Sequence, residues 1–490
     1  MEQIHIYNKN EVHIKVECDR GIAMELSSYF EFEVPGASFI PSVRAKMWDG
    51  KIRLFNVNTM QIYKGLLTKI KKFAADREYE VIVHDGIDDT IDIPLNGLEK
   101  FLTEGKWKPR DYQLRAVAHA VRNHRALILS PTASGKSFII YCLLKYYLRK
   151  TCKKALVIVP TTSLVAQLNG DFNDYSEERQ FYYTHLVTGG QAKSVDEAKI
   201  IISTWQSIYK QPKSYFDQFD IIIGDEAHLF KATSLTKIME KMVDCKYRFG
   251  FTGTLDGTVT NKLVLEGMFG PVMRVITTKE LIDNKTLSDF RIKCLVLKYD
   301  DATRKVVKNS TYQAEMDFIV SHAKRNAFLK NLTLTRKGNT LLLFQYVDKH
   351  GRILYDMISE AAEEGRQVFF IYGGVDADTR ESVRAITEKE NNAVIIASYG
   401  TFSTGINIRN LHNVIFASPS KSRVRNLQSI GRGLRKGDDK EVATLYDISD
   451  DLSWKSWNNH TLKHFAVRVK MYNEENFEYK IYNIGIENEH

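Results

Sequence analysis

The tripeptide Gly135-Lys136-Ser137 stands where a short apolar run, "ALILS", gives way to a helical pattern, "SFIIYCLLKYYL". A strand, a compact loop and a helix in this order can hold phosphate groups on backbone N–H groups and on the helix N-terminus. In such a loop Lys136 would reach the outer phosphates of a nucleotide, and Ser137 would bind magnesium. The usual pattern has a glycine where this chain has Ser130, so the tripeptide alone is weak evidence.

Two adjacent carboxylates, Asp225 and Glu226, end a second apolar run in "IIIGDEAHLF". Charged groups at the end of a buried strand need partners, and magnesium is one such partner. We expect Asp225 to hold the metal through water, and Glu226 to orient and deprotonate the attacking water. His228 either couples this site to the rest of the molecule or is simply packed.

Two arginines in "QSIGRGLRKG", Gln428 to Gly437, could add positive charge to the same site. Arg432 and Arg435 are three residues apart, so they would share one face of a helix. A basic surface patch is the alternative interpretation. Because these arginines follow an apolar run in the second half of the chain, they could instead reach across a cleft to the phosphates. An arginine in that position typically raises the rate of phosphoryl transfer by about 10³–10⁵.

Short apolar runs alternate with helical patterns in two series, one from about residue 125 and one after about residue 290. Runs rich in Val and Ile, bounded by Gly, Pro and Ser, are typical of parallel sheets covered on both faces. The two series therefore predict two α/β lobes in tandem, with ligands beyond the carboxyl ends of the strands. The runs are "ALILS", "ALVIVP", "HLVTGG", "KIIIST", "IIIGDE" and "RFGFTGT", then "CLVLKY", "TLLLFQY", "VFFIYGG", "AVIIAS", "VIFASP" and "ATLYDIS".

The first hundred residues have a different pattern. "VHIKVE", "YFEFEV" and "KIRLFNV" alternate like strands, "MWDGKIRLF" predicts a hairpin turn at Asp49-Gly50, and "IYKGLLTKIKKFAADRE" predicts a helix with a basic polar face. We therefore predict a small α+β domain over residues 1–105, a first lobe over 106–287, and a second lobe with a C-terminal extension over 288–490.

Positive charge is concentrated near the start of the chain. The net charge is +9, from 69 Lys and Arg against 60 Asp and Glu, and residues 44–72 carry eight of these basic residues with one acid. This favours a polyanion partner, although a solvated basic face would have the same composition. Lys46, Lys51 and Arg53 are the candidate DNA contacts, and Trp48 beside them is either a core aromatic or a base-stacking one.

The composition excludes several other classes of protein. Five scattered cysteines without a C-x-x-C pair, and 13 histidines without ligand spacing, predict neither disulfides nor a zinc site. The N-terminus lacks the pattern of a secretory signal, and no apolar run is long enough to cross a bilayer. We expect a cytoplasmic protein without a membrane partner.

The three motifs, in this order and over two α/β lobes, resemble those of the superfamily 2 helicases. The resemblance covers residues 108–436 and implies two RecA-like lobes that hydrolyse ATP with Mg²⁺. Two departures are Ala133, where "APTGSGK" has glycine, and Asn407, where many members have Asp. The other motifs that carry the resemblance are "RDYQ", "VPTTSLVAQ", "STWQS", "TGT", "FQYVDKHG", "YGG" and "ASYGTFSTGIN".

The resemblance implies a role for each of a larger set of residues. Nucleotide binding would fall to Arg110, Gln113, Thr132, Ala133, Ser134, Gly135, Lys136, Ser137 and Gly405, with Ser137 and Asp225 on the metal. Catalysis would fall to Lys136, Asp225, Glu226, Gln428, Arg432 and Arg435. Nucleic-acid contacts would be Thr161, Thr204, Gln206 and Ser398, joined by Lys46, Lys51 and Arg53 from the N-terminal domain. Coupling of hydrolysis to movement would fall to His228, Thr252 and Thr254.

Along its whole length the chain resembles phage recombination helicases, which implies the host cytoplasm as its location if a phage encodes it. This implies a monomer that remodels forks, four-way junctions and RNA–DNA hybrids, with single-strand-binding or recombination proteins as possible partners. Three alternatives are the motor subunit of a restriction complex, an RNA helicase of the DEAH type, and a nucleotide-gated DNA-binding scaffold. The first needs a nuclease or methylating partner, the second carries long C-terminal domains, and the third predicts loss of Glu226 or of the arginines.

Overall fold

The structure is a computed structural model of the 490-residue chain. The chain forms two compact units, Met1–Ser130 with Gly135–Ile276, and Pro131–Ser134 with Thr277–His490. The residues described are 2–34, 36–84, 86–87, 90–103, 106–150, 154–176, 181–188, 196–231, 233–253, 255, 259–405, 408, 410–420, 422, 426–427, 429–431 and 442–486.

The first unit opens with a small α+β fold. Its elements are β1 (Gln3–Asn8), β2 (His13–Glu17), α1 (Arg20–Tyr29), β3 (Glu31–Glu33), α2 (Pro41–Arg44), β4 (Lys51–Arg53), β5 (Gln61–Tyr63), α3 (Leu67–Ala75), β6 (Glu80–Val83) and α4 (Leu95–Thr103), with 3₁₀ turns at Ala37–Phe39 and Lys64–Leu66. Four strands form a sheet in the order β5-β2-β1-β6, in which only the β1–β6 pair is parallel. The alternating apolar residues of β1 and β2 pack against α1 and α3 to form its core.

Two details of the N-terminal prediction are wrong. Asp49-Gly50 does not close a two-residue hairpin, because the partner of β4 is β3 and α2 lies between them in sequence. Gly50 has a φ of 73°, and the Asp49 carboxylate accepts the Lys51 N–H at 3.1 Å, so the pair forms a turn that leads into β4. The helix predicted from Ile62 begins only at Leu67, because the preceding residues pair with β2 as β5.

The remainder of the first unit is a parallel α/β lobe. Its elements are α5 (Asp111–Asn123), β7 (Arg125–Leu129), α6 (Lys136–Lys150), β8 (Ala155–Val159), α7 (Thr162–Tyr175), β9 (Thr184–Val187), β10 (Ile200–Thr204), α8 (Trp205–Ile208), α9 (Lys213–Phe216), β11 (Ile221–Asp225), a 3₁₀ turn at Ala227–Lys231, α10 (Thr233–Lys241), β12 (Tyr247–Thr252), α11 (Val259–Phe269) and β13 (Val272–Arg274). The sheet order is β13-β7-β12-β11-β8-β10-β9, and all neighbouring strands are parallel. Each apolar run predicted here forms a strand, and β13 is an additional edge strand.

The N-terminal fold packs directly on this lobe within the first unit. A Cβ added at Gly65 would lie 2.1 Å from the carbonyl oxygen of Glu266 in α11, so the two backbones touch. The buried Arg125 guanidinium at the start of β7 donates to the Glu11 carboxylate at 2.7 Å. Backbone contact and a partly buried ion pair hold the N-terminal fold and the lobe together as one unit.

The second unit contains the other parallel lobe. Its elements are α12 (Thr278–Asp283), β14 (Asp289–Lys298), α13 (Asp301–Val307), α14 (Tyr312–Ser321), α15 (Ala323–Leu334), β15 (Thr340–Phe344), a π-helical turn at Val347–Gly351, α16 (Arg352–Ala361), β16 (Val368–Ile371), α17 (Ala377–Lys389), β17 (Val394–Ser398), α18 (Tyr399–Gly405), β18 (Asn413–Phe416), β19 (Val442–Asp451), α19 (His460–Glu474) and β20 (Tyr479–Gly485). The sheet order is β16-β17-β15-β18-β19-β14-β20, again parallel throughout. The second series of predicted strands is therefore confirmed.

The C-terminal helix and strand are an integral part of the second lobe. Strand β20 extends the sheet beside β14, and α19 is tied to β19 by an ion pair between Arg468 and Asp447 at 2.7 Å. Both side chains are almost fully buried, so neither charge could be left without the other. Across the described part of the chain, no helix is long and apolar enough to cross a membrane.

Candidate nucleotide site

The candidate residues of the first lobe follow the carboxyl ends of its strands. Lys136 begins the helix after β7, Thr161 follows β8, Thr204 ends β10, Asp225 ends β11 and Thr252 ends β12. Because every neighbouring pair in this sheet is parallel, these positions share one edge of the sheet. That edge is where open α/β sheets bind their ligands.

Ser130 replaces the first glycine of the usual loop without loss of the turn. Its side chain is buried, and its N–H donates to the carbonyl oxygen of Thr252 at 2.9 Å, which continues the pairing of β7 with β12. The residues in the left-handed region lie later in the loop, at Ala133 with a φ of 66° and at Gly135 with a φ of 79°. Both residues differ from the usual phosphate-loop pattern, but only Ala133 has a strained backbone; Ser130 does not.

Two features of Gly135 favour glycine there. Its φ of 79° lies in the left-handed region, and a Cβ would lie 2.3 Å from the Gln113 side-chain nitrogen, so that amide would have to move. Gln113 is buried, and its carbonyl oxygen accepts the backbone N–H of Arg110 at 2.9 Å, which closes the N-terminus of α5. The structure therefore brings the "RDYQ" glutamine against the glycine that precedes Lys136.

Lys136 bridges the two carboxylates at the end of β11. Its Nζ lies 2.6 Å from Asp225 Oδ1 and 2.8 Å from Glu226 Oε1. Glu226 has a φ of 50°, the left-handed region, and its N–H donates to the Asp225 carboxylate at 2.9 Å. A non-glycine residue in this region is strained, and such strain is concentrated at functional sites. The turn it makes brings both carboxylates onto one ammonium group.

Burial and mutual charge set the protonation of this cluster. Burial disfavours the ammonium, but the charges of Asp225 and Glu226 outweigh it and raise the pKa of Lys136. Burial likewise disfavours the Glu226 carboxylate, yet the cation at Lys136 and the neighbouring His228 hold its pKa well below the usual range. Burial raises the pKa of Asp225. Lys136 and Glu226 are therefore both charged near neutral pH.

His228 lies between Glu226 and the next strand. Its Nδ1 is 3.0 Å from the Thr252 hydroxyl and 3.3 Å from Glu226 Oε2. That oxygen is buried and makes no hydrogen bond with any residue the structure describes. An unsatisfied buried carboxylate oxygen is an acceptor that can take a proton from a water molecule. The packed and coupling interpretations of His228 are thus both compatible with its position.

The oxygen ligands expected for magnesium are present at the same edge. The Asp225 carboxylate is mostly buried at the end of β11, and the Ser137 hydroxyl lies in the first turn of α6, 2.9 Å from the Tyr175 hydroxyl. Among the described residues no group of three or more His, Cys, Asp or Glu could hold a metal. Mg²⁺ usually takes one or two protein oxygens and keeps water and phosphate ligands, so this donor set fits it.

Three hydroxyls predicted to contact nucleic acid lie at helix N-termini. Thr161 Oγ1 is 3.0 Å from Ser163 Oγ at the start of α7, and Thr204 Oγ1 is 3.0 Å from a hydroxyl in α8. In the second lobe, Ser398 Oγ is 2.8 Å from the Thr401 hydroxyl in the first turn of α18. The side chain of Gln206, also predicted, is exposed. Local hydroxyl pairs of this kind can be redirected to a phosphate oxygen.

Several predicted residues fall outside the part of the chain that the structure describes. They are Thr254, Gln428, Arg432 and Arg435, together with the departure at Asn407. Gly405 is the last residue of α18. Within the second unit, a Cβ at Gly431 would lie 2.6 Å from the Cβ of Thr132, so the residue before Arg432 contacts the phosphate-loop segment Pro131–Ser134.

The predicted N-terminal DNA contacts differ in whether ion pairs within the domain already engage their charges. Lys46 is exposed and has a φ of 55°. Lys51 pairs with Glu31 at 2.5 Å, and Arg53 pairs with Asp49 at 2.6 Å and with Glu31 at 3.2 Å. The charge of Lys51 and Arg53 is therefore partly neutralised by Asp49, which lies within the basic segment, and by Glu31, which lies outside it.

Trp48 is neither a core aromatic nor a fully exposed one. It lies outside the N-terminal core cluster, is half-buried, and donates its indole N–H to the Lys51 carbonyl at 2.9 Å. The most exposed large apolar side chains in this segment are instead Phe39 and Met47, at 74% and 78%. We did not predict the exposure of either residue from the sequence, although an apolar residue among charged and polar ones indicates exposed apolar surface.

Comparison with known proteins connects this geometry to a family. Three family models match: "DNA helicase UvsW, N-terminal" over residues 3–84, "Type III restriction enzyme, res subunit" over 106–257, and "Helicase conserved C-terminal domain" over 323–437. The ATP-dependent DNA helicase uvsW of Enterobacteria phage T4 is 33% identical, over 97% of this chain and 98% of its own. The crystal structure of T4 UvsW matches with a TM-score of 0.52 and 31% identity, over 99% of this chain and 100% of that one. A DNA 3'-5' translocase, XPB2 of Sulfurisphaera tokodaii, is 22% identical over 86% of this chain and 95% of its own.

Proposed function

Because this chain belongs to the UvsW family of superfamily 2 DNA helicases, we propose that it is an ATP-dependent helicase that remodels branched DNA. The observation that carries the proposal is the buried cluster of Lys136, Asp225 and Glu226 at the carboxyl edge of a parallel sheet. Nucleotide hydrolysis at such sites uses a phosphate-loop lysine on the phosphates and a nearby carboxylate on Mg²⁺, and this cluster brings the two kinds of group together.

In this proposal, Lys136 pairs with the two carboxylates when no nucleotide is bound and with the phosphates when ATP is bound. The β- and γ-phosphates of ATP would draw its ammonium away from the two carboxylates, since they offer more negative charge. Glu226, whose Oε2 is already without a hydrogen bond to described residues, would then accept a proton from the attacking water. Ser137 and Asp225 would hold Mg²⁺, which neutralises charge on the phosphates when bound. Arg110, Gln113 and the loop residues Thr132, Ala133, Ser134 and Gly135 would contact the nucleotide.

The remaining catalytic residues would come from the second lobe. Arg432 and Arg435 would stabilise the charge that develops on the transferred phosphoryl group, with Gln428 and Gly405 beside the nucleotide. The contact of Gly431 with Thr132 supports this assignment, since Gly431 immediately precedes Arg432 in sequence. We propose the domain ranges given above, 1–105, 106–287 and 288–490.

Movement of DNA would depend on contacts that ignore base sequence. The hydroxyls of Thr161, Thr204 and Ser398, together with Gln206, would bind backbone phosphates, which position a strand without reading it. His228, Thr252 and Thr254 would transmit the state of the nucleotide to these contacts. The hydrogen bond between His228 and Thr252 supports the first part of that route.

The N-terminal fold would bind the duplex or the branch point. Lys46 is exposed, and Phe39 and Met47 present apolar surface in the same segment. Cationic and apolar groups together suit a junction, where phosphates lie beside unstacked bases. Forks, four-way junctions and RNA–DNA hybrids are the proposed substrates, a monomer is the proposed state, and single-strand-binding or recombination proteins are the proposed partners.

A competition panel tests this function. The ATPase rate of the full chain would be measured with single strand, duplex, fork, four-way junction and RNA–DNA hybrid at equal phosphate concentration. We expect stimulation by DNA, strongest with branched substrates, and loss of hydrolysis with retained DNA binding in Lys136→Ala. Stimulation by none of these would favour a nucleotide-gated scaffold, and loss of both activities in Lys136→Ala would point to misfolding or a different site.

The contribution of the N-terminal fold is better tested by substitution than by deletion. Removing it would expose the surface of α11 that Gly65 contacts, so binding and stability would change together. Lys46→Ala removes an exposed charge without disturbing that surface. We expect weaker duplex binding with a smaller dependence on salt and an unchanged basal ATPase rate.

A further inference from the structure

Tyr175 joins the end of one helix to the phosphate loop. It is the last residue of α7, and its hydroxyl lies 2.9 Å from the hydroxyl of Ser137 in the first turn of α6. Its ring contacts Phe138 edge-on with centroids 5.0 Å apart, and Tyr141 with centroids 5.6 Å apart. Packing against two aromatic rings fixes the plane of the tyrosine and therefore the position of its hydroxyl.

The hydroxyl contact constrains what Ser137 can do. A serine hydroxyl has one hydrogen and two lone pairs, and it binds a cation through a lone pair. Its hydrogen must then point elsewhere, and an acceptor on the far side fixes the oxygen in the binding orientation. The Tyr175 oxygen lies within hydrogen-bond distance and can accept that hydrogen.

We infer that Tyr175 is a positioning residue that turns the lone pairs of Ser137 toward the magnesium ion of bound Mg·ATP. The inference rests on the proposed function, because it assigns a role to Tyr175 at that same site. Groups that orient a metal ligand in this way typically contribute about 10–100-fold to metal affinity or activity.

The position of Tyr175 also connects the metal ligand to the proposed strand contact. Helix α7 begins directly after Thr161 and ends at Tyr175, and its 14 residues form one continuous helix. At about 1.5 Å per residue this helix is on the order of 20 Å long. A displacement of its first turn by a bound strand would therefore reach the Ser137 hydroxyl through a rigid element.

The test compares Tyr175→Phe with the unaltered full-length protein. The phenylalanine keeps the ring and removes only the hydroxyl. Binding of a fluorescent ATP analogue would be titrated with excess Mg²⁺ and again with EDTA. We expect affinity without metal to be unchanged, and the gain in affinity that Mg²⁺ produces to fall about 10-fold. A gain equal to or greater than that of the unaltered protein would overturn the inference.

Two further variants separate positioning from a general loss of structure. Tyr146→Phe removes a hydroxyl from the same helix α6, away from Ser137, and should leave the magnesium-dependent gain unchanged. In a Ser137→Ala background, Tyr175→Phe should have no further effect, since the group it orients is already gone. A full additional loss in that background would show that Tyr175 acts by another route and would overturn the inference.

Failure of this inference differs from failure of the proposed function. If Tyr175→Phe changes nothing while Lys136→Ala abolishes hydrolysis, the ATPase assignment stands and the role of Tyr175 is wrong. If Lys136→Ala keeps full ATPase activity, the nucleotide site itself is misplaced, whatever the behaviour of Tyr175→Phe.

Discussion

His228 Nδ1 lies 3.0 Å from the hydroxyl of Thr252, and this contact joins the turn after β11 to the end of β12. The two strands are neighbours in the first sheet, so the bond links the turn at Asp225 and Glu226 to the start of the "TGT" motif. The same histidine nitrogen is 3.3 Å from Glu226 Oε2. A change in the charge around Glu226 would therefore act on His228, and through its contact with the hydroxyl it would affect Thr252.

Thr252→Val tests this link, because valine keeps the branched shape and loses the hydroxyl. We expect ATP hydrolysis to remain within several-fold of normal while unwinding of a forked duplex is lost. His228→Ala should behave similarly, and the double variant should be no worse than either single one, because both residues act through the same contact. Independent, additive losses would mean that the two residues act separately.

Glu226→Gln tests the assignment of the general base. The amide has nearly the same shape as the carboxylate but cannot accept a proton from water. We expect turnover to fall by about 10²–10⁴-fold, the usual contribution of general base catalysis, while nucleotide binding persists. Equilibrium binding of a fluorescent ATP analogue and single-turnover hydrolysis would separate the two effects. Hydrolysis within a few-fold of normal would assign the base to another group.

Ala133→Gly tests the strain in the phosphate loop. Ala133 has a φ of 66°, and a residue with a Cβ in this region carries a penalty of about 1–2 kcal/mol. Glycine removes the penalty but gains about 0.4–1 kcal/mol of chain entropy in the unfolded state. We expect a net rise in stability of up to about 1.6 kcal/mol with hydrolysis retained. The same change at Ala385, an exposed residue in the middle of α17, should instead destabilise the protein by about 0.5–1 kcal/mol.

The fold could be predicted because each lobe repeats one sequence pattern, a short apolar run followed by a helical segment. Every apolar run in the two series forms a strand, since a strand buried on both faces must be apolar along its whole length. The missed strand β13 has three residues, "VMR", too few to show a pattern. The hairpin prediction was wrong although Asp49-Gly50 does form a turn. The strand that pairs with β4 lies well before this turn in sequence.

The site could be predicted only where its chemistry is local in sequence. Lys136, Asp225 and Glu226 lie in compact motifs, and the structure brings them onto one another. Tyr175 lies 38 residues from Ser137, and only tertiary packing joins them. The ion pair between Lys51 and Glu31 could not be predicted from the sequence either, because it spans 20 residues and depends on the β3–β4 register.

Arg432→Ala tests the role of the second lobe in hydrolysis. This arginine lies outside the described residues, so its role stays a prediction from the motif. We expect ATP binding to persist and turnover to fall by about 10³–10⁵-fold, as for an arginine that stabilises transition-state charge. Arg384→Ala is a suitable control, since this arginine lies on α17 and pairs with Glu381 in the same helix. A near-normal ATPase rate in Arg432→Ala would remove its assigned role.

The acid sensitivity of the second lobe should depend on His350. This histidine has no exposed surface, its Nδ1 is 3.1 Å from the Ser418 hydroxyl, and burial, with a smaller effect of the Arg325 charge, lowers its pKa to about 3. A histidine in the unfolded chain has a pKa of about 6.5, so the unfolded state takes up the proton first as the pH falls. The stability that neutral His350 contributes is therefore complete above about pH 6.5 and is lost progressively as the pH falls toward 3.

His350→Gln removes this titration, and the comparison with the unaltered protein isolates it. Each pH unit below about 6.5 should reduce the free energy of unfolding of the unaltered protein by about 1.4 kcal/mol. At pH 5 the loss is about 2 kcal/mol, which the glutamine variant should not show. Urea unfolding at pH 7.5 and pH 5 would measure both proteins, with other groups titrating equally in each. If the difference between them were the same at the two pH values, His350 would already be protonated in the folded state or would contribute nothing to the acid transition.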